Sequence, residues 1–250
     1  MSSSPSYLRV SGVSIEFPIV EFRNRRLFTR DAAKALVGGR FGQHGSTNTL
    51  QALSDISFSL EHGDRLALIG HNGSGKTTLM RAIAGIYTPT KGYIEASDQV
   101  VPFLDTSLGM DVDATGRQNI EIGCLFSGFG RRESQLLAEE ISEFSELGDF
   151  LDMPLRTYSA GMKARLGFAI QTARRPKIMV LDEGISAGDA AFQKKVEERI
   201  MGFLDRIQIV LMASHSNNFL KKFCNKGLVL EKGQIKFFGS FDDAIGVYID

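Results

Sequence analysis

The glycine-rich run at residues 70–78 constrains the fold of this chain more than any other stretch. It reads GHNGSGKTT and fits the pattern G-x-x-x-x-G-K-[ST]. Apolar residues 66–69 before it are typical of a buried strand, and residues 78–84 after it are typical of a helix. A strand, a tight turn and a helix in this order aim backbone N–H groups and the positive helix end at one anion. We therefore predict a phosphate-binding loop, because a turn that only joined strand to helix would not need Gly-Lys-Thr at the helix start.

This run, called the phosphate loop from here on, predicts a nucleotide site that contains Mg²⁺. Lys76 is expected to reach the β- and γ-phosphates, and the hydroxyl of Thr77 is expected to bind the metal ion. The predicted nucleotide-binding residues are Gly70, His71, Asn72, Gly73, Ser74, Gly75, Lys76, Thr77 and Thr78.

Two adjacent carboxylates, Asp182 and Glu183, follow Lys177 and the apolar run 178–181. That run is typical of a buried parallel strand, and open α/β sheets bind ligands at the carboxyl ends of such strands. We expect Asp182 to hold Mg²⁺ and Glu183 to orient or deprotonate an attacking water. A second apolar run, 207–213, leads to His215, so the sequence places an imidazole at the same edge of the sheet.

Composition excludes several classes of function. Hydrophobic residues make up 43% of the 250 residues, enough for a full core. The 29 basic and 29 acidic side chains cancel, so no global field favours nucleic acid. The longest apolar runs fall far short of the roughly 20 residues that a membrane helix needs.

Two regions depart from the α/β pattern of what we predict to be a single domain at residues 1–250. Residues 21–48 carry six basic side chains against two acidic ones, with a predicted short helix at 29–37. This basic segment is either a solvated insertion or a contact for a membrane surface, an anionic lipid-linked substrate or a partner subunit. Residues 116–175 show mostly helical periodicity, which predicts a helical subdomain inserted into the core.

Five motifs in fixed order resemble those of the ATP-binding cassette (ABC) ATPases, over nearly all of residues 7–240. They are the phosphate loop, the run 157–162, the Asp182-Glu183 pair, the run 186–189 and His215. The resemblance implies an α/β fold, a P-loop NTPase core with an antiparallel β subdomain and an inserted helical subdomain. It implies ATP and Mg²⁺ as cofactors, Glu183 as the catalytic base and His215 as the residue that senses the γ-phosphate.

The same resemblance implies a homodimer that encloses two ATP molecules. The signature motif would be Tyr158, Ser159, Ala160, Gly161 and Met162, and the D-loop would be Ser186, Ala187, Gly188 and Asp189. Ser159 and the N–H groups that follow it open a helix and so form a second anion site. In ABC ATPases that site binds the γ-phosphate held by the other subunit.

Several positions depart from the general ABC pattern. The signature has Ala160 where glycine is usual and Met162 where glutamine is usual. No glutamine lies in residues 103–109, where the Q-loop is expected, so Asp105 or Thr106 substitutes for it and Asp105 becomes a further candidate metal ligand. Phe41 is the nearest upstream aromatic for the adenine ring.

With these departures, the sequence resembles one subfamily, the ATPases of bacterial exporters of O-antigen, capsule or teichoic acid. The signature helix 158–168 and the runs 115–119, 188–192 and 214–216 carry the likeness. It implies two copies of a membrane permease, a lipid-linked polysaccharide carried by that permease, no nucleic acid partner, and a peripheral position on the cytoplasmic face of the inner membrane. The alternatives are the ATPase of another ABC transporter and a non-transport ABC ATPase.

Overall fold

The computed structural model describes residues 5–18, 40–44, 47–103, 109–126, 129–173, 176–182, 194, 198–199, 202, 207–214 and 216–249. These residues form two compact units. The first unit takes its residues from Met1–Pro102, Lys177–Asp182 and Gln208–Asp250, and the second from Phe103–Pro176 and Glu183–Ile207.

Ten strands and six α-helices are present in the described residues. In chain order they are β1 (Tyr7–Pro18), β2 (Arg40–His44), β3 (Thr47–Glu61), β4 (Arg65–Ile69), α1 (Lys76–Ile83), β5 (Lys91–Ala96), β6 (Val100–Phe103), α2 (Gly116–Phe126), α3 (Arg131–Ser145), α4 (Ala160–Ala173), β7 (Ile178–Leu181), β8 (Ile209–Ala213), α5 (Asn217–Phe223), β9 (Lys226–Glu231), β10 (Gln234–Ser240) and α6 (Phe241–Ile249).

A four-stranded antiparallel sheet forms one layer of the first unit, in the order β2-β3-β1-β5. Along β1 the buried Leu8 and Val10 alternate with the exposed Arg9, as expected for a strand with one face on a core. The strand ends at Pro18, whose missing N–H cannot continue the ladder. This sheet is the predicted antiparallel β subdomain. Its strand β3 is much longer than the sequence pattern at 55–60 indicated.

A six-stranded sheet forms the second layer, in the order β10-β9-β4-β8-β7-β6. Strands β4, β7, β8 and β9 are parallel, whereas β10 pairs antiparallel with β9. Every residue of β7 and β8 is buried, which explains their unbroken apolar sequences. The structure thus confirms the predicted buried strands, and their parallel pairing brings the carboxyl ends of β4, β8 and β7 to one edge.

The second unit contains the three helices that the periodicity predicted, α2, α3 and α4. Two 3₁₀ turns, Gly148–Asp152 and Leu155–Thr157, lie between α3 and α4. The buried amide of Asn119 holds the start of α2, because its Nδ2 donates to the carbonyls of Asp111 and Thr115 at 2.9 and 3.0 Å. Its Oδ1 accepts from the N–H of Asp111 at 2.8 Å.

Most of the basic segment lies outside the described residues, and so does the helix predicted at 29–37. No helix among the residues that the structure describes is long and apolar enough to cross a bilayer.

Asp98 ties three segments of the first unit together. Its carboxylate accepts hydrogen bonds from Lys177 Nζ at 2.7 Å, Ser6 Oγ at 2.7 Å and Ser97 Oγ at 2.9 Å. The bonds from Lys177 and then Ser6 lower the pKa of Asp98 below its ordinary value of 3.8. Because folding lowers the pKa of Asp98, its ionised carboxylate stabilises the folded state. This stabilisation is complete above the pKa that Asp98 has in the unfolded chain, and it disappears as pH falls through the pKa that Asp98 has in the folded protein.

We expect Asp98→Asn to lower the free energy of unfolding at pH 7 by about 1 kcal/mol or less, since the carboxylate is partly exposed to solvent. The difference from wild type should shrink below about pH 4. Thermal unfolding followed by circular dichroism at pH 7 and pH 3 measures both values, with the exposed Glu139→Gln as the control. A difference that stayed constant between the two pH values would show that the carboxylate charge is not its cause.

Candidate functional site

The phosphate loop lies between the end of β4 at Ile69 and the start of α1 at Lys76. Gly75 is the N-cap of α1, with φ 110° and ψ 2°. A side chain is strained in that conformation, and a methyl group there would also lie 2.8 Å from Leu53 Cδ2. The positive φ therefore favours glycine at this position, and the close approach of Leu53 adds to that preference.

The Lys76 ammonium lies over the turn of the loop. Its Nζ donates to the carbonyl oxygens of Gly70 at 2.6 Å and His71 at 3.1 Å. The His71 carbonyl also accepts from the N–H of Ser74 at 3.1 Å, which closes the turn. A phosphate would offer this ammonium a charged acceptor, a stronger partner than a neutral carbonyl.

Thr77 and Asp182 meet, although they are far apart in sequence. The hydroxyl of Thr77, in the first turn of α1, donates to Asp182 Oδ2 at 3.2 Å. Asp182 directly follows β7, and only β8 separates β7 from β4 in the sheet. The parallel sheet therefore brings together two of the predicted metal ligands, Thr77 and Asp182.

The donor set of Thr77 and Asp182 fits Mg²⁺. One hydroxyl and one carboxylate oxygen suit an ion that shares its coordination with phosphate oxygens and water. Among the described residues no group of three or more His, Cys, Asp or Glu side chains could hold a metal ion by itself. The arrangement therefore suits a metal ion that binds together with a phosphate ligand.

Several predicted site residues lie outside the described part of the chain. They are Glu183, His215, Asp105 and the D-loop residues Ser186, Ala187, Gly188 and Asp189. The roles assigned to them stay predictions. Their neighbours Asp182 and Ser214 are described, and each directly follows a buried parallel strand.

The signature residues belong to the second unit, at the start of α4. Tyr158 is 5% exposed and donates from its hydroxyl to the carbonyl of Phe150 at 2.5 Å, and burial raises the pKa of the phenol. Ser159 is exposed, and its Oγ accepts from the N–H of Met162 at 3.2 Å. The tyrosine therefore anchors the motif in the core of the unit while the serine faces solvent.

Two contacts on the phosphate loop come from the end of the chain, for which the sequence analysis predicted no structure. The N–H of Gly233, in the turn between β9 and β10, donates to the Ser74 carbonyl at 2.9 Å. The ring of Tyr248 in α6 lies 5.2 Å from the His71 ring, centroid to centroid. The local sequence around Gly233 predicts a turn at most, because the partner of that turn lies far away in the chain.

A glycine loop over a helix end, a lysine within the loop and a hydroxyl paired with a carboxylate define a phosphate-loop nucleotide-binding protein. The chain belongs to the ABC transporter family, whose model matches residues 53–186. It is an ABC-type ATPase. ABC ATPase domains dimerise and act together with a membrane permease.

Relatives of known name share much of the chain. The O-antigen export system ATP-binding protein RfbE of Yersinia enterocolitica is 41% identical over 224 residues, which are 89% of this chain and 93% of that protein. The O-antigen export system ATP-binding protein RfbB of Klebsiella pneumoniae is 38% identical over 79% of this chain and 80% of its own length. The teichoic acids export ATP-binding protein TagH of Lactococcus lactis is 36% identical over 88% of this chain but only 46% of its own length.

Solved structures of ABC ATPases have the same fold as this chain. An ATP-binding subunit of an ABC transporter superposes with a TM-score of 0.73 at 19% identity, over 94% of this chain and 90% of its own. A dimeric ATP-binding cassette in a post-hydrolysis state with ADP and phosphate superposes with a TM-score of 0.72 at 17% identity, over 94% of this chain and 98% of its own. These structures confirm the predicted P-loop NTPase fold of the ABC type.

We expect Lys76→Ala to weaken ATP binding about 100-fold, equivalent to about 2.7 kcal/mol, because the variant removes the cation that faces the phosphates. Titration with a fluorescent ATP analogue measures the affinity, and circular dichroism checks the fold. The control is Lys221→Ala, which removes an exposed lysine near the end of α5. Equal affinity in both variants would show that ATP binds elsewhere.

Proposed function

We propose that this chain is the ATP-hydrolysing subunit of a bacterial ABC transporter that exports a lipid-linked polysaccharide of the O-antigen, capsule or teichoic acid type. The observation that carries the proposal is the 41% identity to the O-antigen export protein of Y. enterocolitica, which extends over nearly the whole of both chains. The names of further relatives, at 36–39% identity, repeat the two polymer classes O-antigen and teichoic acid.

Hydrolysis would take place at the carboxyl edge of the parallel sheet. The loop N–H groups and Lys76, which lies over the loop, would bind the β- and γ-phosphates. Thr77 and Asp182, which are in contact, would hold Mg²⁺. The metal ion would neutralise charge on the phosphate oxygens. Glu183 orients a water molecule in line with the γ-phosphate and accepts its proton, while His215 contacts the γ-phosphate. The products are ADP and inorganic phosphate.

A second copy of the chain would complete each site. Ser159 is exposed at the start of α4, where its hydroxyl and the following N–H groups can receive a γ-phosphate from a partner subunit. Ala160 and Gly161 supply those N–H groups, with Tyr158 and Met162 flanking them, and residues 186–189 would be the D-loop. Binding of two ATP molecules favours the closed dimer and hydrolysis releases it, a shift between two states of different affinity.

The dimer would bind two copies of an integral membrane permease on the cytoplasmic face of the inner membrane. In this proposal residues 1–250 form one ABC domain, with the basic segment 21–48 as an insertion and 116–175 as the helical subdomain. Asp105 or Thr106 would take the role of the missing Q-loop glutamine, and Asp105 would be a further ligand for the metal ion. The lipid-linked polysaccharide is carried by the permease, and no nucleic acid partner is involved.

A transporter for another substrate is the second candidate, because every catalytic motif named above is shared across the family. The relatives' names favour polysaccharide export over this alternative. A non-transport ABC ATPase comes third, since the neutral charge of the chain gives no electrostatic attraction to DNA or ribosomes.

We expect Glu183→Gln to bind ATP with near wild-type affinity but to hydrolyse it at least about 100-fold more slowly, because the amide cannot accept the proton of the attacking water. ATP should then trap a dimer that size-exclusion chromatography with light scattering detects. Glu139→Gln, an exposed substitution of the same kind on α3, should behave as wild type. Fast ATP hydrolysis by Glu183→Gln would show that Glu183 is not the catalytic base.

Purification from native membranes tests the transport assignment. The tagged chain, extracted in a mild detergent, should bring with it a polytopic membrane protein and a lipid-linked glycan that mass spectrometry identifies. An untagged strain provides the background. Recovery of ribosomes or DNA, or of the permease with a small solute, would replace the polysaccharide assignment and leave the ATPase assignment intact.

A further inference from the structure

The turn between β9 and β10 joins the phosphate loop to the antiparallel sheet. Glu231 pairs with Gln234 across this two-residue turn, and the residues between them, Lys232 and Gly233, have φ values of 50° and 76°. Two positive φ values define a tight hairpin in which glycine is strongly preferred. The backbone of Gly233 donates from its N–H to the Ser74 carbonyl at 2.9 Å and accepts at its carbonyl from the N–H of Ser54 at 2.8 Å.

The junction is too tight for a side chain at Gly233. A methyl group there would overlap the carbonyl oxygen of Ala52 in β3. Ala52, Leu53 and Ser74 are 2%, 0% and 5% exposed, so water does not compete strongly for these backbone bonds. The Ser74 hydroxyl is buried in the same place and has no hydrogen-bond partner within the described part of the chain.

The bond from Gly233 fixes the direction of one peptide group of the phosphate loop. In a trans peptide the C=O and the N–H point in opposite directions. When the Ser74 carbonyl is held toward the hairpin, the N–H of Gly75 in the same peptide group is held away from it. Gly75 is the N-cap of α1, and its N–H is one of the loop amides that the G-x-x-x-x-G-K-[ST] pattern directs at a phosphate.

We infer that Gly233 is a positioning residue for the nucleotide site, which acts on the bound phosphates through the Ser74–Gly75 peptide group without touching them. The inference rests on the proposed nucleotide binding. It assigns to the hairpin β9–β10, which belongs to none of the motifs that the sequence analysis identified, a role in nucleotide affinity. It also makes the hairpin and β3 a single support for the loop.

The test compares substitutions at two glycines that both have a positive φ. Gly233→Ala combines a positive φ with the overlap at Ala52, whereas Gly63→Ala has a positive φ of 92° and no atom within 4 Å of the new methyl group. Gly63 lies in the turn before β4 and donates to the Gln208 carbonyl at 2.7 Å, a bond that alanine retains. Isothermal titration of the full-length proteins with Mg-ADP, well below their melting temperatures, gives the dissociation constant separately from the binding-competent fraction.

We expect Gly233→Ala to raise the dissociation constant for Mg-ADP about tenfold or more, and Gly63→Ala to leave it within about twofold of wild type. A purely structural role for Gly233 would lower the stoichiometry and leave the dissociation constant unchanged, and that result would overturn the inference. Wild-type protein that bound no ADP would overturn the proposed function as well, so the two failures can be told apart.

Hydrogen exchange on the wild-type protein keeps the inference falsifiable if Gly233→Ala does not fold. Mg-ADP should slow exchange at the amides of Gly233 and Ser54 about fivefold or more, because the ligand stabilises the loop that they support. The amide of Gly63, which is hydrogen-bonded to Gln208 and precedes β4 at the end opposite the loop, serves as the reference. Equal slowing at all three amides would overturn the inference.

Discussion

The backbone conformation of the phosphate loop is the constraint on which the rest of the site depends. A loop that directs several N–H groups at one anion concentrates positive potential, and such a conformation needs support from outside the loop. Here the support is backbone to backbone: the N–H of Gly233 donates to the Ser74 carbonyl, and the N–H of Ser54 donates to the Gly233 carbonyl. The backbones approach closely here, and a methyl group at Gly233 would overlap the Ala52 carbonyl oxygen, so glycine allows this contact. Gly70 is equally confined, because a methyl group there would overlap the Leu230 carbonyl oxygen.

Charge in the site is arranged to accept phosphate and metal together. The Lys76 ammonium lies over the loop, while Asp182 is held by Thr77 at the end of the neighbouring β7. A phosphate that adds negative charge suits the first group, and a divalent cation suits the second, so each ligand supports the binding of the other. The signature residues lie in a different compact unit, where Ser159 is exposed at the start of α4. Their binding of a partner molecule's nucleotide stays a proposal.

Much of this arrangement could be predicted from the sequence. The strand β4, the helix α1 and the strands β7 and β8 all follow from local periodicity, and the order of motifs identified the family. The strand β2, the hairpin β9–β10 and the helix α6 were not predicted. The residues of β10 and α6 are mixed in polarity, because each of these two elements is only partly buried, and the periodic signal is correspondingly weak.

The sequence by itself determined the chemistry of the site: which residues form the phosphate loop, which carboxylate follows a buried strand, and which serine opens a helix. Each of these follows from residue types at short spacing. Only the tertiary structure decided that Thr77 contacts Asp182 and that Gly233 supports Ser74. The physical reason is that strand order and register in a sheet depend on packing across the whole core, whereas a sequence pattern reports only on neighbours along the chain.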